Sequence, residues 1–436
     1  MTAPSLPELK GIPAYDDAAL YLRLGDRTLP WEFDGWEPES MSWKTGCYIH
    51  AGLSGWQLNF DGPEVLEFWA SISVNSFEKF PIGSMKHAVM CTEEGLIASH
   101  AILQRNDERE LRLFAAGLPW AEYRASQTKY QVKARPVPGY LHQVAGPNSL
   151  ATLERATGES LRDIAFLRFR KAKIDGLTVE VGRIGMSGNL AYEVRGPLAD
   201  GPRVYDTIYR AGQGLGIQRL GWRAYFVNHI EGGFPQAGWT FFTAAIEDAK
   251  FRERAGRSVR ITGSVDPSNM RARYRTPVEV GWQRSVRFDH DFIGRKALER
   301  EMADPRRTIA TLRWNAEDVT DIYASLLRQG ESYKPIDLPT TPSWHRGFFA
   351  HADHILKDGR GVGFSSGTIY STYFRQVLSM ATIDVEHAKI GTEIIVQWGD
   401  HERRIKDVRA TVERFPYLSE GRNDQVDTSQ LKQPTR

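Results

Sequence analysis

Apolar and polar residues alternate from Gly55 to Phe60 (Trp56, Leu58, Phe60), after which the spacing changes, with Val65, Leu66, Phe68 and Trp69 on one broad face following Asp61 and Gly62. A period of two marks a half-buried strand and a period near 3.6 an amphipathic helix, so a strand and then a helix over 63–71 are expected. Val89, Leu96, Ile102 and the run from Leu111 to Ala115 read as strand pieces joined by charged turns such as 105–110. Residues 51–135 therefore form an α+β unit. Beyond Pro136 and Pro138 the pattern recurs as a strand over Leu141–Val144, the turn Gly146-Pro147 and a helix over Ser149–Thr157 with Leu150, Leu153 and Ala156 on one side. A hairpin over 172–174 and 177–183, a turn at 185–188, a strand over Ala191–Arg195 and a helix over Gly201–Gly212 follow.

The last third is mostly period-two segments (Thr308–Trp314, Val362–Ser365, Val377–Ile383, Glu393–Trp398, Asp407–Glu413) with little helical spacing, which suggests a small antiparallel barrel or sandwich. The first fifty residues are aromatic and rich in Gly and Pro, and read as loops and short strands. The polar tail after Tyr417 is expected to fray.

At 436 residues the chain has room for roughly two to four domains. Its hydrophobic share of 41% and charged share of 25% are those of a folded chain. Lys plus Arg (56) nearly cancels Asp plus Glu (54), which removes a global electrostatic case for nucleic acid or an anionic membrane as partner. Two cysteines, Cys47 and Cys91, are too few for a disulfide framework or a thiolate metal site. The N-terminal stretch lacks the order of a signal peptide, so a cytoplasmic location is expected. There is no P-loop, Gly-x-Gly-x-x-Gly, His-Glu-x-x-His or Gly-x-Ser-x-Gly motif, and no metal, nucleotide or flavin is expected.

No spacing alone forces a reaction. Four ordered segments do carry a resemblance: GMSGNLAYEVRGP (185–197), RAYFVNHIEGGFP (223–235), RFDHDFIGRKAL (287–298) and SMATIDVEHAKIGTEIIVQWGD (379–400). Together they resemble the aminomethyltransferase family of the glycine-cleavage T-protein, and within it the tetrahydrofolate-dependent aromatic O-demethylases of the vanillate and syringate type. The resemblance implies an α+β three-domain cloverleaf with a C-terminal antiparallel β-barrel and a central folate channel. The expected division is 1–50 plus 136–255 as the folate-binding domain, 51–135 as a second α+β domain, and 256–436 as the barrel domain.

Glu193 matches the family's pterin-binding carboxylate, a group able to accept two parallel hydrogen bonds from the 2-amino and N3–H edge. Gln143 and Phe234 match further pterin contacts, with Phe234 standing where the demethylases have a Trp. Tyr225, in Arg-Ala-Tyr, matches their catalytic tyrosine, a phenol that is protonated at neutral pH and able to donate to an ether oxygen. His100 stands where aminomethyltransferases have an Asp, which argues against steadying a cationic aminomethyl group and leaves a histidine for a phenolic or carboxylate substrate, as donor or anchor. Ser54 and the stretch Ala116-Gly117-Leu118 stand where the vanillate enzyme has a substrate-anchoring His and Arg, so an acidic substrate would need Arg124, Lys86, His50 or His100 instead.

The resemblance implies transfer of a methyl group from an aryl methyl ether, a small methoxylated aromatic, to N5 of tetrahydrofolate, giving a phenol and 5-methyltetrahydrofolate. Amine or sulfonium demethylation by the same carrier is one alternative. A non-catalytic folate-binding protein is the other, but the Lys-Gly-Cys-Tyr-x-Gly-Gln motif of such relatives is replaced here by Asp291-Phe292-Ile293-Gly294-Arg295. Oligomeric state stays open.

Overall fold

The computed structural model describes residues 18–24, 27–114, 118–255, 259–339 and 349–431. The N-terminal residues behind the leader reading, 1–17, and Ala116-Gly117 lie outside the described residues. Contacts divide the chain into two compact units, one from the described parts of 1–57, 136–228 and 419–436, the other from 58–135 and 229–418.

In the first unit a sheet runs in the order 217–219, 47–50, 133–145, 191–197, 177–182, 169–174, antiparallel apart from the first pair. Alternation sorts its side chains. Cys47, Ile49, Val144, Tyr192 and Val194 point to one face and pack on Leu150 and Leu153 of the helix Ser149–Thr157 and on Val204 and Ile208 of the helix Gly201–Ala211. Both helices fall where periodicity placed them, and Gly158 ends the first in a left-handed conformation at φ 73°. Tyr48, His50, Gln143, Glu193 and Arg195 point to the other face and are buried too.

The second unit has an antiparallel set over 85–91, 97–105, 110–114 and 58–61, covered by the helix Val65–Ile72 through Val65, Phe68, Trp69 and Ile72. Its barrel is closed from six antiparallel strands in the order 307–314, 376–384, 360–371, 353–357, 393–398, 406–413. Leu312, Trp314, Ile355, Val396, Trp398, Val408 and Val412 fill the core of this barrel, as the period-two segments implied. Among the described residues no helix is long and apolar enough to cross a membrane.

Three local expectations fail for physical reasons. Residues 36–45, expected as loop or strand, form a helix, because the buried Glu39 carboxylate ties it down by accepting the N–H groups of Phe33 (2.6 Å), Asp34 (3.3 Å) and Gly221 (2.7 Å). The strand expected over Leu141–Val144, beyond Pro136 and Pro138, runs instead over Lys133–Ala145, with both prolines in its exposed first half, whose pairing with 191–197 begins only at Gly139. The tail does not fray at 419–431, where Arg183 donates to the Asn423 side chain (3.1 Å) and the Val426 carbonyl (2.6 Å), and Arg162 to the carbonyls of Thr428 and Leu431.

The Phe-Ile-Gly-Arg motif has a steric reason. Gly294, at φ 88°, starts the helix Arg295–Ala303, and a Cβ there would stand 2.4 Å from the Thr92 carbonyl oxygen. Gly294→Ala should lower the unfolding free energy by about 2 kcal/mol or more. Gly359→Ala, at φ 75° in open space, isolates the backbone part of that cost. Urea midpoints that moved equally in the two variants would show that the close approach to Thr92 adds nothing.

Candidate functional site

Register in the first unit places His50 opposite Gln143, and Gln143 opposite Glu193, so three adjacent strands carry one polar row. Gln143 Nε2 donates to Glu193 Oε1 at 3.0 Å, and the Arg195 guanidinium pairs with Oε2. Both charged side chains are sealed, 1% exposed for Arg195 and 3% for Glu193. Arg195 went unnoticed in the sequence, although a residue two along a strand from Glu193 shares its face.

Tyr225 lies over this row on the helix that begins at Trp222. Its ring stacks on His50 at 4.1 Å and 13°, and meets Trp222 edge-on at 5.2 Å, which fixes the phenol in place. The hydroxyl donates to Met186 Sδ at 3.0 Å, a weak acceptor. Burial above all, then Tyr48 and the Glu193 charge, push the phenol well above its usual 10, with the Gln143 side chain opposing. It is a proton donor at any physiological pH. His50 donates from Nδ1 to the Leu220 carbonyl at 2.8 Å, which fixes its tautomer. Asn228 Nδ2 donates to the Tyr48 hydroxyl at 3.2 Å on the same face.

His100 and Phe234 belong to the second unit. His100 is buried and meets His87, with Nδ1 to Nε2 at 3.1 Å. Burial, then His87 and His229, hold His100 well below 6.5, and burial holds His87 down at about 4. The imidazolium form is thus disfavoured on both rings, so neither is a ready source of a proton from an imidazolium at neutral pH. The Phe234 ring lies 5.7 Å from His87, 6.0 Å from His100 and 6.0 Å from Trp282.

Of the other sequence candidates, Ser54 and Lys86 are engaged by main-chain groups, and Arg124 keeps a buried Nε with no hydrogen-bond partner among the described residues. The Ser54 hydroxyl donates to the Leu141 carbonyl (3.3 Å) and accepts the Leu141 N–H (3.1 Å), so it staples the strand that carries Gln143. Lys86 donates to the Ser76 carbonyl at 2.6 Å beside the Phe80 ring. Arg124 stands 5.7 Å from the Trp120 ring, in the field of Asp248.

Comparison with known proteins gives this geometry a family. Residues 18–241 match the family model of the GCVT N-terminal domain. The chain is 37% identical to sesamin methylene transferase from a Sinomonas species, with 97% of each chain covered, and 30% identical to syringate O-demethylase from a Sphingobium species, with 93% of each covered. The crystal structure of the glycine cleavage system aminomethyltransferase T from Bartonella henselae superposes with a TM-score of 0.69 at 16% identity, covering 93% of this chain and 96% of that one. The chain belongs to the aminomethyltransferase family. Membership makes it a one-carbon transfer enzyme that uses tetrahydrofolate.

The polar row fits that carrier in this aminomethyltransferase relative. Each Glu193 oxygen accepts one hydrogen bond and keeps a further lone pair. Gln143 Oε1 and Asn228 Oδ1 are buried acceptors with no hydrogen-bond partner among the described residues. Unmet acceptors beside a buried carboxylate suit a ligand edge that presents N–H donors, as the 2-amino and N3–H edge of a pterin does.

Two stability outcomes follow. Glu193→Ala deprives the buried Arg195 of its carboxylate and should cost about 3 to 5 kcal/mol of folding free energy, whereas Glu193→Gln should cost clearly less. Urea unfolding of the two variants decides, and an Ala variant as stable as wild type would remove the pair from the account. His142 and His87 are both held at about 4 by burial, against 6.5 for the free side chain. Between those values the unfolded chain binds protons that the folded one excludes, so their stabilising contribution is present above pH 6.5 and is lost as pH falls towards 4. Unfolding free energy should drop by on the order of 2 kcal/mol per histidine between pH 7.5 and 5, and the His142→Gln variant should show a shallower fall.

Proposed function

We propose that the protein cleaves an aryl ether carbon–oxygen bond and passes the one-carbon group to tetrahydrofolate, with an aryl methyl ether as substrate. The observation that carries this is the Tyr225 hydroxyl: kept protonated by burial, fixed by stacking on His50, and donating to a thioether in the field of Glu193 and within reach of the Gln143 side chain. Resemblance to a syringate O-demethylase supports the same reading.

Phenolate is a poor leaving group, so the departing oxygen needs a proton donor as charge builds on it. The Met186 sulfur is a weak acceptor, and exchanging it for an ether oxygen is favourable. Glu193 and Gln143 would hold the pterin edge through their remaining acceptor capacity. Tetrahydrofolate supplies the N5 amine that takes the carbon. The N5 proton replaces the methyl group in the overall balance, so that one ether and one N–H give one phenol and one N-methyl.

A bridging methylene is the second reading, favoured by the 37% identity to a sesamin methylene transferase. In that case the two oxygens of one ring lose a shared carbon and become the two hydroxyls of a catechol, the protons of two carrier N–H groups balancing the carbon that would then bridge those nitrogens. Mass spectrometry of the carrier product separates the readings.

With a turned-over methoxyarene or methylenedioxyarene in hand, Tyr225→Phe should lower kcat by about 10²-fold while folate and substrate affinity stay near wild type. Wild-type kcat should show no alkaline decline from Tyr225 below pH 10, because its proton leaves only above that value. Full activity in Tyr225→Phe, measured with a thermal melt as folding control, would exclude the phenol as the donor.

A further inference from the structure

The His87–His100 pair has a direction. The Ala237 N–H donates to His100 Nε2 at 3.4 Å, and a nitrogen that accepts carries no proton. The proton of neutral His100 is therefore on Nδ1, which donates to His87 Nε2 at 3.1 Å. His87 in turn carries its proton on Nδ1. Among the described residues that nitrogen has no hydrogen-bond partner, and it is not sealed off. His87 is half-buried, whereas His100 is buried with both nitrogens engaged.

The surroundings of the exposed donor are aromatic and uncharged. Trp282 meets the His87 ring edge-on at 4.6 Å, and Phe234 lies at 5.7 Å. The groups that bear electrostatically on the pair are the histidines themselves and His229. Lys86, next to His87 in sequence, turns its ammonium to the Ser76 carbonyl. Among the described residues no cation bears on the pair, so the outward donor suits an uncharged oxygen acceptor on a flat ligand better than a carboxylate.

We propose that His87, not His100, is the ligand-facing hydrogen-bond donor of this cluster, and that it selects uncharged aryl ethers over carboxylated ones. The inference rests on the aryl ether reading above for its substrate class. His100 is a positioning residue, which orients His87 by donating to its Nε2.

The first test needs no ligand. Nitrogen-15 spectra of the histidine-labelled full chain at pH 7 should show His87 and His100 both neutral and both protonated on Nδ1, whereas an Nε2–H or cationic His100 would overturn the direction of the chain. The second uses benzodioxole and veratrole with their carboxylated counterparts piperonylate and veratrate. The uncharged members should have at least about tenfold higher kcat/KM. His87→Gln keeps an acceptor for His100 but loses the outward donor, and should raise KM for the uncharged member tenfold or more with kcat little changed. His87→Asn, whose amide nitrogen stands near the Nδ1 position, should recover most of that loss. Turnover with KM the same in His87→Gln as in wild type would sink the inference and leave the reaction standing. If none of the four is turned over, yet benzodioxole shifts the His87 resonance and piperonylate does not, the reaction is wrong and the donor assignment holds. Neither turnover nor a shift would overturn both.

Discussion

The buried Glu193–Arg195 pair is the constraint on which the first unit's arrangement depends. Two charges removed from water are tolerated only when paired and hydrogen-bonded, and here Gln143 completes the set from the next strand. What holds that geometry is the opposite face of the sheet. A slip of one residue in the 191–197 strand would turn Glu193 and Arg195 into the core and Tyr192 and Val194 out of it. The apolar packing of Ile49, Val144, Tyr192 and Val194 on two helices thus specifies the register, and the register aligns His50, Gln143 and Glu193. Site and core are the two faces of one decision about pairing.

Burial also decides which residue type keeps a usable proton. The same desolvation that lowers His87 and His100 raises Tyr225, because in each case the neutral form is favoured. For a histidine the neutral form has lost its acidic proton, and for a phenol the neutral form is the donor. A dry site that needs general-acid assistance at neutral pH is therefore better served by tyrosine. An aspartate in the place of His100 would bring a charge that this aromatic surrounding does nothing to solvate, whereas neutral imidazole enters it without one.

The sequence revealed the elements whose causes are local. The helices at 149–157 and 201–211 and the barrel strands carry their own periodicity, and their positions follow from it. The helix at 36–45 was hidden because its anchor is tertiary: Glu39 binds the N–H of Gly221, far away in the chain. The same distinction runs through the site. Glu193 and Tyr225 stand in segments whose resemblance to the family singles them out, Gln143 follows from the same resemblance outside those segments, and Arg195 was available from the two-residue period. Ser54 shows the opposite case, since no pattern tells that its hydroxyl is engaged by the Leu141 main chain. His87 lies in no motif and owes its place to a cross-strand neighbour, with Val89 rather than His87 directly opposite His100.

That diagonal relation carries a last physical consequence. Directly opposed residues in an antiparallel pair share a face, and residues displaced by two remain on that face within reach of long or aromatic side chains. His87 and His100 are such a pair, so their hydrogen bond runs along the sheet surface rather than into the layer beneath. One ring nitrogen of each is consumed along this surface line, and the Ala237 N–H closes the inner end. A chain of hydrogen bonds fixed at one end by a backbone N–H has a single polarity, because each neutral imidazole that accepts at one nitrogen must donate at the other. The donor that remains therefore appears at the open end, on His87, and a backbone amide rather than any charged group sets its direction.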